Sequence, residues 1–504
     1  KGNLPREISH LLDKAFESRL RALSTTHFGL AAPMMNRTRL NIAADLVQTA
    51  FESAARAFAL GQTATAPPTS PEEVRFTLAD YARGVDTDVV EYDKNPSRSL
   101  VRIPLTAESL TDTAWVTSCQ GQVLAAAVKP VATPDSRDAE LCFVATMPAG
   151  GQATYDVTLG SPQGPAAATS TSRAAITATP RSLSNGKIDL DFDALGNPVR
   201  LATETVTLKA APLLRAAVRY RRRTRSVDAW QIQSVRTFGE GTVGAIVMEG
   251  TIPLGVGGLA VRVWREYLVA AGLPYVYVTT DIAYPRTPDR VRRPDVARRL
   301  ECTYDNRWQE VMPCEIRLGL TGHAERPLRV WKHNYLDHVS HYDLAQGTFE
   351  RPGGVDAFNN QITAGWVAVS DQDQGLLIGQ SAEATTCFAF TPMRTRRHRD
   401  TMELTLNPFG TYTGRQMSYP TATTGFSKRV ATLMAETLRS PAPSYAGHQE
   451  RFVLMLAPYP GDEPPPQVQA DAEAFAAPYA LLSASPAIAP PGYRIWSNAS
   501  LVGS

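Results

Sequence analysis

The spacing of apolar and polar positions changes character once along the chain. Near the N-terminus Ile8, Leu11, Leu12, Ala15, Leu20 and Leu23 recur at helical spacing, and a second series follows at Leu40, Ala43, Ala44, Val47, Phe51, Ala54, Ala55 and Phe58. Each series lays an apolar stripe along one face, so residues 5–60 predict two amphipathic helices that need a bundle partner. Gly29 and Pro33 mark a loop between them. From Glu73 onward the period is close to two, in short segments divided by turn residues. Segments 101–105, 122–128, 141–145 and 155–159 predict a small antiparallel sandwich. Lys187 to Asp193 alternates strictly, and 194–197 supplies a turn before the next strand. Further strands are predicted at 243–249, 259–269, 274–283, 313–320, 364–370, 374–379, 401–407 and 451–457, with no short repeat of the propeller kind. The expected chain is therefore mainly β: a helical bundle segment over 1–62, a small β-sandwich over 73–160 and a large β-supersandwich over 173–504. Stretches 61–71 and 160–172, poor in large apolar residues, read as linkers.

Composition narrows the function classes. The 504 residues are 43% hydrophobic, enough for about three domain cores. Fifty-one basic and forty-nine acidic residues leave a net charge of +2, so no global field draws the chain to nucleic acid or to an anionic membrane. The basic residues are 43 Arg and 8 Lys, which reads as compositional bias and not as a phosphate-binding design. No run of about 18 apolar residues predicts a transmembrane helix. The sequence opens on Lys1 with no short apolar signal region behind it, which suggests an internal or processed piece of something longer. Cys119, Cys142, Cys302, Cys314 and Cys387 are odd in number and widely spaced, so buried free thiols are expected over a disulfide scaffold, and the compartment is left open.

Several motifs fail on context. The segment Gly255 to Ala260 lacks the last glycine of a dinucleotide loop and reads as a hairpin turn. Asp189, Asp191 and Asp193 have calcium-loop spacing, but Arg200 stands where the twelfth-position carboxylate belongs, so they read as the outward face of a strand. No nucleophile elbow, zincin helix or phosphate loop occurs. His333, His338 and His341 lie within nine residues beside Trp331, Asn334, Tyr335 and Tyr342. The three imidazoles could share a cation, although packing is favoured because no metal-ligand spacing is met. The surrounding mixture is also typical of a carbohydrate-contacting loop, which makes Trp331, Tyr335 and His338 the candidate substrate-binding residues. His27 stands alone between the two predicted helices, a capping or packing position on its own residue-level reading.

Taken in order, these segments resemble the part of a family 38 glycoside hydrolase, the zinc-dependent α-mannosidase family, that follows its catalytic barrel. Helix, Thr25-Thr26-His27-Phe28-Gly29 and second helix are similar to the family's three-helix bundle. Residues 101–105 and 141–155 resemble the strands of its small sandwich, and 185–193 the opening of its large one, a supersandwich of the galactose-mutarotase kind. Phe349-Glu350-Arg351-Pro352, Trp366-Val367-Ala368-Val369-Ser370-Asp371, Gly375-Leu376-Leu377-Ile378 and Gly447-His448-Gln449-Glu450-Arg451-Phe452 follow in the family's order. The resemblance implies a retaining glycosidase whose barrel, absent from this chain, carries the aspartate nucleophile and three of four zinc ligands, with His27 as the fourth. The family's usual aspartate after that histidine is replaced by Phe28, which removes a hydrogen-bonding acid.

The resulting expectation is the C-terminal chain of a zinc-dependent glycosidase, completed by a barrel in a separate or cleaved segment, acting on carbohydrate, with an oligomer compatible. Its alternative is a non-catalytic carbohydrate-binding sandwich that stacks sugars on exposed aromatics such as Trp331, Tyr335 and Trp366. A lyase working through Asn334, Tyr335 and His338 is the remaining option.

Overall fold

The computed structural model describes residues 6–22, 49–50, 53, 73–79, 95–105, 114–118, 121–124, 126–130, 139–148, 151–159, 176–209, 213–220, 223–227, 231–240, 242–253, 260–283, 311–322, 328–333, 339–343, 365–381, 393–398, 401–406, 449–476 and 479–484. The chain divides into two compact units, and every described residue from Glu73 onward belongs to the second. In the first, α1 (Arg6–Ala22) realises the first helical series, burying Ala15 and Ser18 while Leu12 and Phe16 stay exposed. Residues 49, 50 and 53 are helical, as the second series requires, and the rest of that series, both linkers and His27 lie outside the described residues.

The second unit opens with β1 (Glu73–Ala79), β2 (Ser97–Leu105), β3 (Ala114–Ser118), β4 (Val123–Leu124), β5 (Ala126–Pro130), β6 (Ala139–Met147) and β7 (Gln152–Leu159). A three-stranded sheet, β2-β6-β5, faces a five-stranded one, order β27-β1-β7-β3-β4, in which β27 (Ala480–Ala484) returns from the far end of the chain to pair with β1. Val101, Ile103, Leu141, Phe143, Ala145, Val116, Tyr155 and Val157 fill the space between them.

Next, β8 (Thr177–Thr179), β9 (Ser182–Ser184), β10 (Ile188–Phe192), β11 (Pro198–Thr203) and β12 (Thr207–Lys209) form an antiparallel meander. β10 alternates buried and half-buried residues, as its sequence predicts. The turn after it is closed by Asp193, whose Oδ1 accepts from the Leu195 and Asn197 amides at 2.8 Å. The three aspartates are thus strand and turn residues: Asp191 pairs with Arg200 at 2.9 Å.

The remaining strands are β13 (Leu213–Tyr220), β14 (Arg223–Val227), β15 (Gln231–Glu240), β16 (Val243–Pro253), β17 (Ala260–Ala270), β18 (Val276–Ala283), β19 (Val311–Gly322), β20 (Arg329–His333), β21 (Val339–Asp343), β22 (Trp366–Ser370), β23 (Gln374–Gln380), β24 (Met393–His398), β25 (Thr401–Leu406) and β26 (Gln449–Pro460). Nine of them make one antiparallel sheet, order β15-β16-β17-β18-β26-β23-β22-β20-β21, and β14-β13-β19-β25-β24 make another. Pro253 pairs with Ala260, so the strands flanking 254–259 are the arms of a hairpin, in keeping with the turn reading.

The nine-stranded sheet is covered on both faces. On one side Phe192 of the meander meets Tyr267 edge-on at 4.9 Å between centroids. On the other, Leu268, Ala270, Tyr275, Tyr277, Trp366 and Met455 share one core with Ala127 and Cys142 of the three-stranded sheet and with Val468, Ala472 and Phe475 of α2 (Pro466–Ala476). The three-stranded sheet is therefore a middle layer, and residues 139–143 of β6 are buried without alternation. Close approach is built in at Gly375, where a Cβ would sit 2.2 Å from the Tyr459 ring opposite it.

Candidate functional site

The sequence-selected aromatic and imidazole residues are only partly described. Trp331 sits on β20 between β21 and β22, 8% exposed, in the large core, and Trp366 beside it is fully buried. The expectation of exposed stacking faces is thus corrected for both: each lies on the sheet face that packs against the core. Antiparallel register sets His341 opposite Trp331, and their rings meet at 4.4 Å between centroids, tilted by 34°. His333 stacks on Trp366 at 5.8 Å, nearly coplanar at 10°. The two imidazoles are therefore separated onto two different indoles, one half of each pair across a strand, which agrees with the packing reading. Trp331 Nε1 is buried with no hydrogen-bond partner among the described residues, while His341 is exposed. Tyr335 and His338, on the connection from β20 to β21, lie outside the described residues.

A second arrangement has no counterpart in the sequence reading. Arg102 on β2, Lys129 on β5 and Glu140 on β6 point from the three-stranded sheet toward Glu266 on β17 of the nine-stranded sheet. Lys129 Nζ lies 2.8 Å from Glu140 and 2.5 Å from Glu266, and Arg102 Nη2 lies 2.7 Å from Glu140 and 2.8 Å from Glu266. Arg102 Nη1 also donates to Thr279 Oγ1 at 3.2 Å, and Lys129 Nζ to the Pro130 carbonyl at 3.1 Å. Lys129 and Glu266 are 1% and 2% exposed at the side chain.

Two cations and two anions balance in this pocket, and each carries the others' charge. Burial alone would raise the Glu140 carboxyl, but Arg102 and Lys129 outweigh it and bring its pKa down to about 2. For Lys129 and Arg102 burial works downward, and the two glutamates outweigh it, so both are held above their ordinary values. Arg102, Lys129 and Glu140 are thus each held in the charged form at neutral pH, and with Glu266 they make a clamp between layers. Cys142, buried behind the clamp, is a free thiol pushed up by burial and then by Glu140, as the free-thiol expectation has it. No side chain is described for the other four cysteines.

A third group locks α2 to the same interface. Asp471, 1% exposed, accepts from the Arg98 amide at 2.6 Å, from Arg98 Nη2 at 2.8 Å, from Tyr275 at 2.5 Å and from Gln467 Nε2 at 2.8 Å. Burial first, then Asp471, pushes the Tyr275 hydroxyl up, so it remains a donor.

A metal was expected from the family resemblance, with His27 as ligand. Among the described residues no three His, Cys, Asp or Glu side chains converge on one point. His27 itself lies outside the described residues. No helix among the described residues is long and apolar enough to cross a membrane.

The buried quartet escaped sequence reading because alternation in β2 marks Arg102 only as a polar position, not as one covered by a third layer. The available signal was the continuous burial-type run Leu141-Cys142-Phe143-Val144-Ala145, which demands cover on both faces, next to Glu140 and opposite Lys129 in register.

No family model matches the chain, and no curated protein matches it in sequence. Among solved structures, an alpha-mannosidase from Enterococcus faecalis V583 superposes with a TM-score of 0.53 at 11% identity, over 96% of this chain and 54% of that one. A protein of glycosyl hydrolase family 38 from Enterococcus faecalis gives 0.50 at 10% identity, over 96% of this chain and 56% of that one. A putative aldose 1-epimerase from Escherichia coli K12 aligns along its whole length with 56% of this chain, but at 0.27, too low to argue from. The chain thus spans a little over half the length of the two family 38 structures that it matches. At such identities the likeness is one of fold, and over nearly its whole length this mainly β chain has the fold of part of a family 38 glycoside hydrolase.

Proposed function

We propose that the chain is the non-barrel portion of a glycoside hydrolase of the family 38 kind, acting on an α-mannoside or a related glycoside. In this reading a catalytic barrel, on a separate chain or on another part of a longer polypeptide, supplies the nucleophile. The supporting observation is the extent of the fold match: nearly all of this chain corresponds to only about half of an alpha-mannosidase. Within that reading His27 is the residue of this chain that reaches a zinc ion, and Tyr335 with His338, on the connection from β20 to β21, meets the sugar. The charge clamp and the Asp471 lock hold the small sandwich and α2 on the nine-stranded sheet, which fixes where the loops between strands emerge.

The experiment compares the 504-residue chain alone with the native assembly, using an aryl α-mannoside and metal analysis. The chain alone should neither hydrolyse the glycoside nor retain zinc, the assembly should do both, and His27→Ala should lower zinc content in the assembly. Zinc unchanged by His27→Ala removes that residue from the site. Tight glycan binding by the isolated chain, with no barrel and no metal, would favour a carbohydrate-binding module instead.

A further inference from the structure

On the face of the nine-stranded sheet that carries the charge clamp, the cover given by the three-stranded sheet runs out along β17. Glu266 is 2% exposed at the side chain, whereas Arg262, on the same face of the strand, is 54% exposed. Trp264 stands between them, half-buried and outside both apolar cores, unlike Trp331 and Trp366. Register surrounds it with polar residues. Glu249 of β16 and Asp281 of β18 lie directly opposite it, Ser234 follows beyond Glu249, and Arg451 beyond Asp281. In the next row Thr251 sits opposite Arg262. The Arg262 guanidinium is 4.6 Å from the centre of the Trp264 ring and 3.6 Å from Glu249, beyond hydrogen-bond reach. Both contacts are weak for an exposed side chain, so the guanidinium is loosely held. Among the described residues the Glu249 carboxylate, 21% exposed, receives no hydrogen bond. Trp264 Nε1 is turned away from water, so the indole offers its ring and not its N–H.

We propose that Trp264, Glu249, Arg262 and Thr251 form a subsite for one neutral pyranose unit of a glycan. It is separate from the β20–β21 hairpin, with β18, β26, β23 and β22 between them. An aromatic ring bordered by a few polar groups suits a ligand that has an apolar C–H face and a rim of hydroxyls. Glu249 accepts from those hydroxyls, Arg262 donates to them and Thr251 does either. Charge selects the class of sugar. Across the two rows Glu249 and Asp281 balance Arg262 and Arg451, which leaves no net charge to answer a phosphate, sulfate or uronate group. The pyranose takes the place of the loosely held guanidinium over the indole, and Arg262 turns to its hydroxyls from the rim. The clamp, two residues further along β17, fixes the inner end of the subsite. One stacked ring and a few hydrogen bonds make a weak site, in the millimolar range. The choice of mannose as first sugar rests on the glycosidase reading; the subsite itself does not.

The test is titration of the 504-residue chain with mannotriose and with glucose- and galactose-based trisaccharides, read by calorimetry and by amide hydrogen exchange. A trisaccharide should bind with a Kd of about 1–10 mM and protect β16, β17 and β18 around Glu249, Trp264 and Asp281. Trp264→Ala should weaken binding by about tenfold or more, and Trp264→Phe, which keeps a ring, should retain part of it. Glu249→Gln should weaken it by about fivefold. Thermal unfolding of each variant separates loss of the subsite from loss of the fold, and the exchange measurement on the unsubstituted chain needs no variant. No binding of any of these sugars at about 50 mM overturns the proposal. So does an affinity indifferent to both Trp264→Ala and Glu249→Gln, protection confined to other strands, or mannose 6-phosphate bound far more tightly than mannotriose. Binding of a glucose- or galactose-based trisaccharide without mannotriose upholds the subsite and counts against the mannoside reading, which hydrolysis by the native assembly tests separately.

Discussion

Two clusters of ionised side chains in the second unit use the same chemistry in different places. Arg102, Lys129, Glu140 and Glu266 lie between two sheets, with side chains from 1% to 24% exposed. Arg329 joins Asp343 and Asp462 at the open end of β20, with side chains 26%, 46% and 27% exposed, and Ser370 donates to Asp462 at 2.6 Å. In the first cluster Lys129, Glu140 and Glu266 are buried, so each of these charges depends on its neighbours and the loss of one strands the others. In the second, water replaces whatever a substitution removes, and salt screens what is left. Layering, not the number of ion pairs, decides which cluster holds the unit together.

The largest expected effect is at the buried quartet. Glu266→Ala leaves Lys129 and Arg102 sharing one carboxylate in a dry interface and should cost about 3–5 kcal/mol in denaturant unfolding. Removing Lys129 and Glu266 together, as Lys129→Met with Glu266→Leu, takes out a neutral pair and should recover much of that loss. A double variant as unstable as Glu266→Ala would show that the quartet does not act as a charge-balanced unit.

Next in size is Asp471→Asn. It converts an acceptor facing donors from Arg98, Tyr275 and Gln467 into a group that must point a donor of its own at them. A loss of about 2–3 kcal/mol is expected, read by thermal or denaturant unfolding. Loss below about 0.5 kcal/mol would mean that α2 is held by its apolar face alone.

Acidification probes the buried cluster through Glu140. Glu140 has its folded-state pKa lowered to about 2, so its contribution is complete above the ordinary carboxylate range and is lost as pH falls from about 4.5 toward about 2. Lys129 is held upward, so its contribution is present below its ordinary range and fades only in strong alkali. Stability should therefore fall steeply below about pH 4 and flatten in Glu140→Gln, which titrates no proton at that position. An unchanged acid limb in the variant would place the acid sensitivity elsewhere.

The smallest effect is expected at Arg329→Ala, at most about 1 kcal/mol and less in high salt. A cost comparable with that of Glu266→Ala would erase the distinction between the clusters.

The same contrast explains what was legible in the sequence. The strand pattern shows openly at 188–192, which alternates, and in the longer apolar runs: the predicted segments at 243–249, 259–269, 274–283 and 451–457 lie on or almost wholly on β16, β17, β18 and β26. β27 was not legible, because its partner β1 is some 400 residues away and pairing across that distance leaves no local mark. α2 was hidden by its own burial: Asp471 and Ala470 are buried along with Val468, Ala472 and Phe475, so no polar face sets a clean helical period. At the candidate site the sequence singled out Trp331, but not that it faces inward, and Tyr335 and His338 lie outside the described residues. The indole lies under His341 because the strand's core face, not its solvent face, carries positions 331 and 333. The charged quartet was invisible for the converse reason, since polar residues on an alternating strand imply water until a third layer is known.

In the proposed reading these 504 residues are one portion of a larger glycosidase. Its most direct test is the intact mass and composition of every polypeptide in an active native preparation, together with hydrolysis of an aryl α-mannoside by that preparation. These 504 residues should occur with a barrel-bearing segment, fused or co-purifying, and hydrolysis should be lost when that segment is removed. Undiminished hydrolysis by the 504-residue chain alone, with no other polypeptide present, would contradict it.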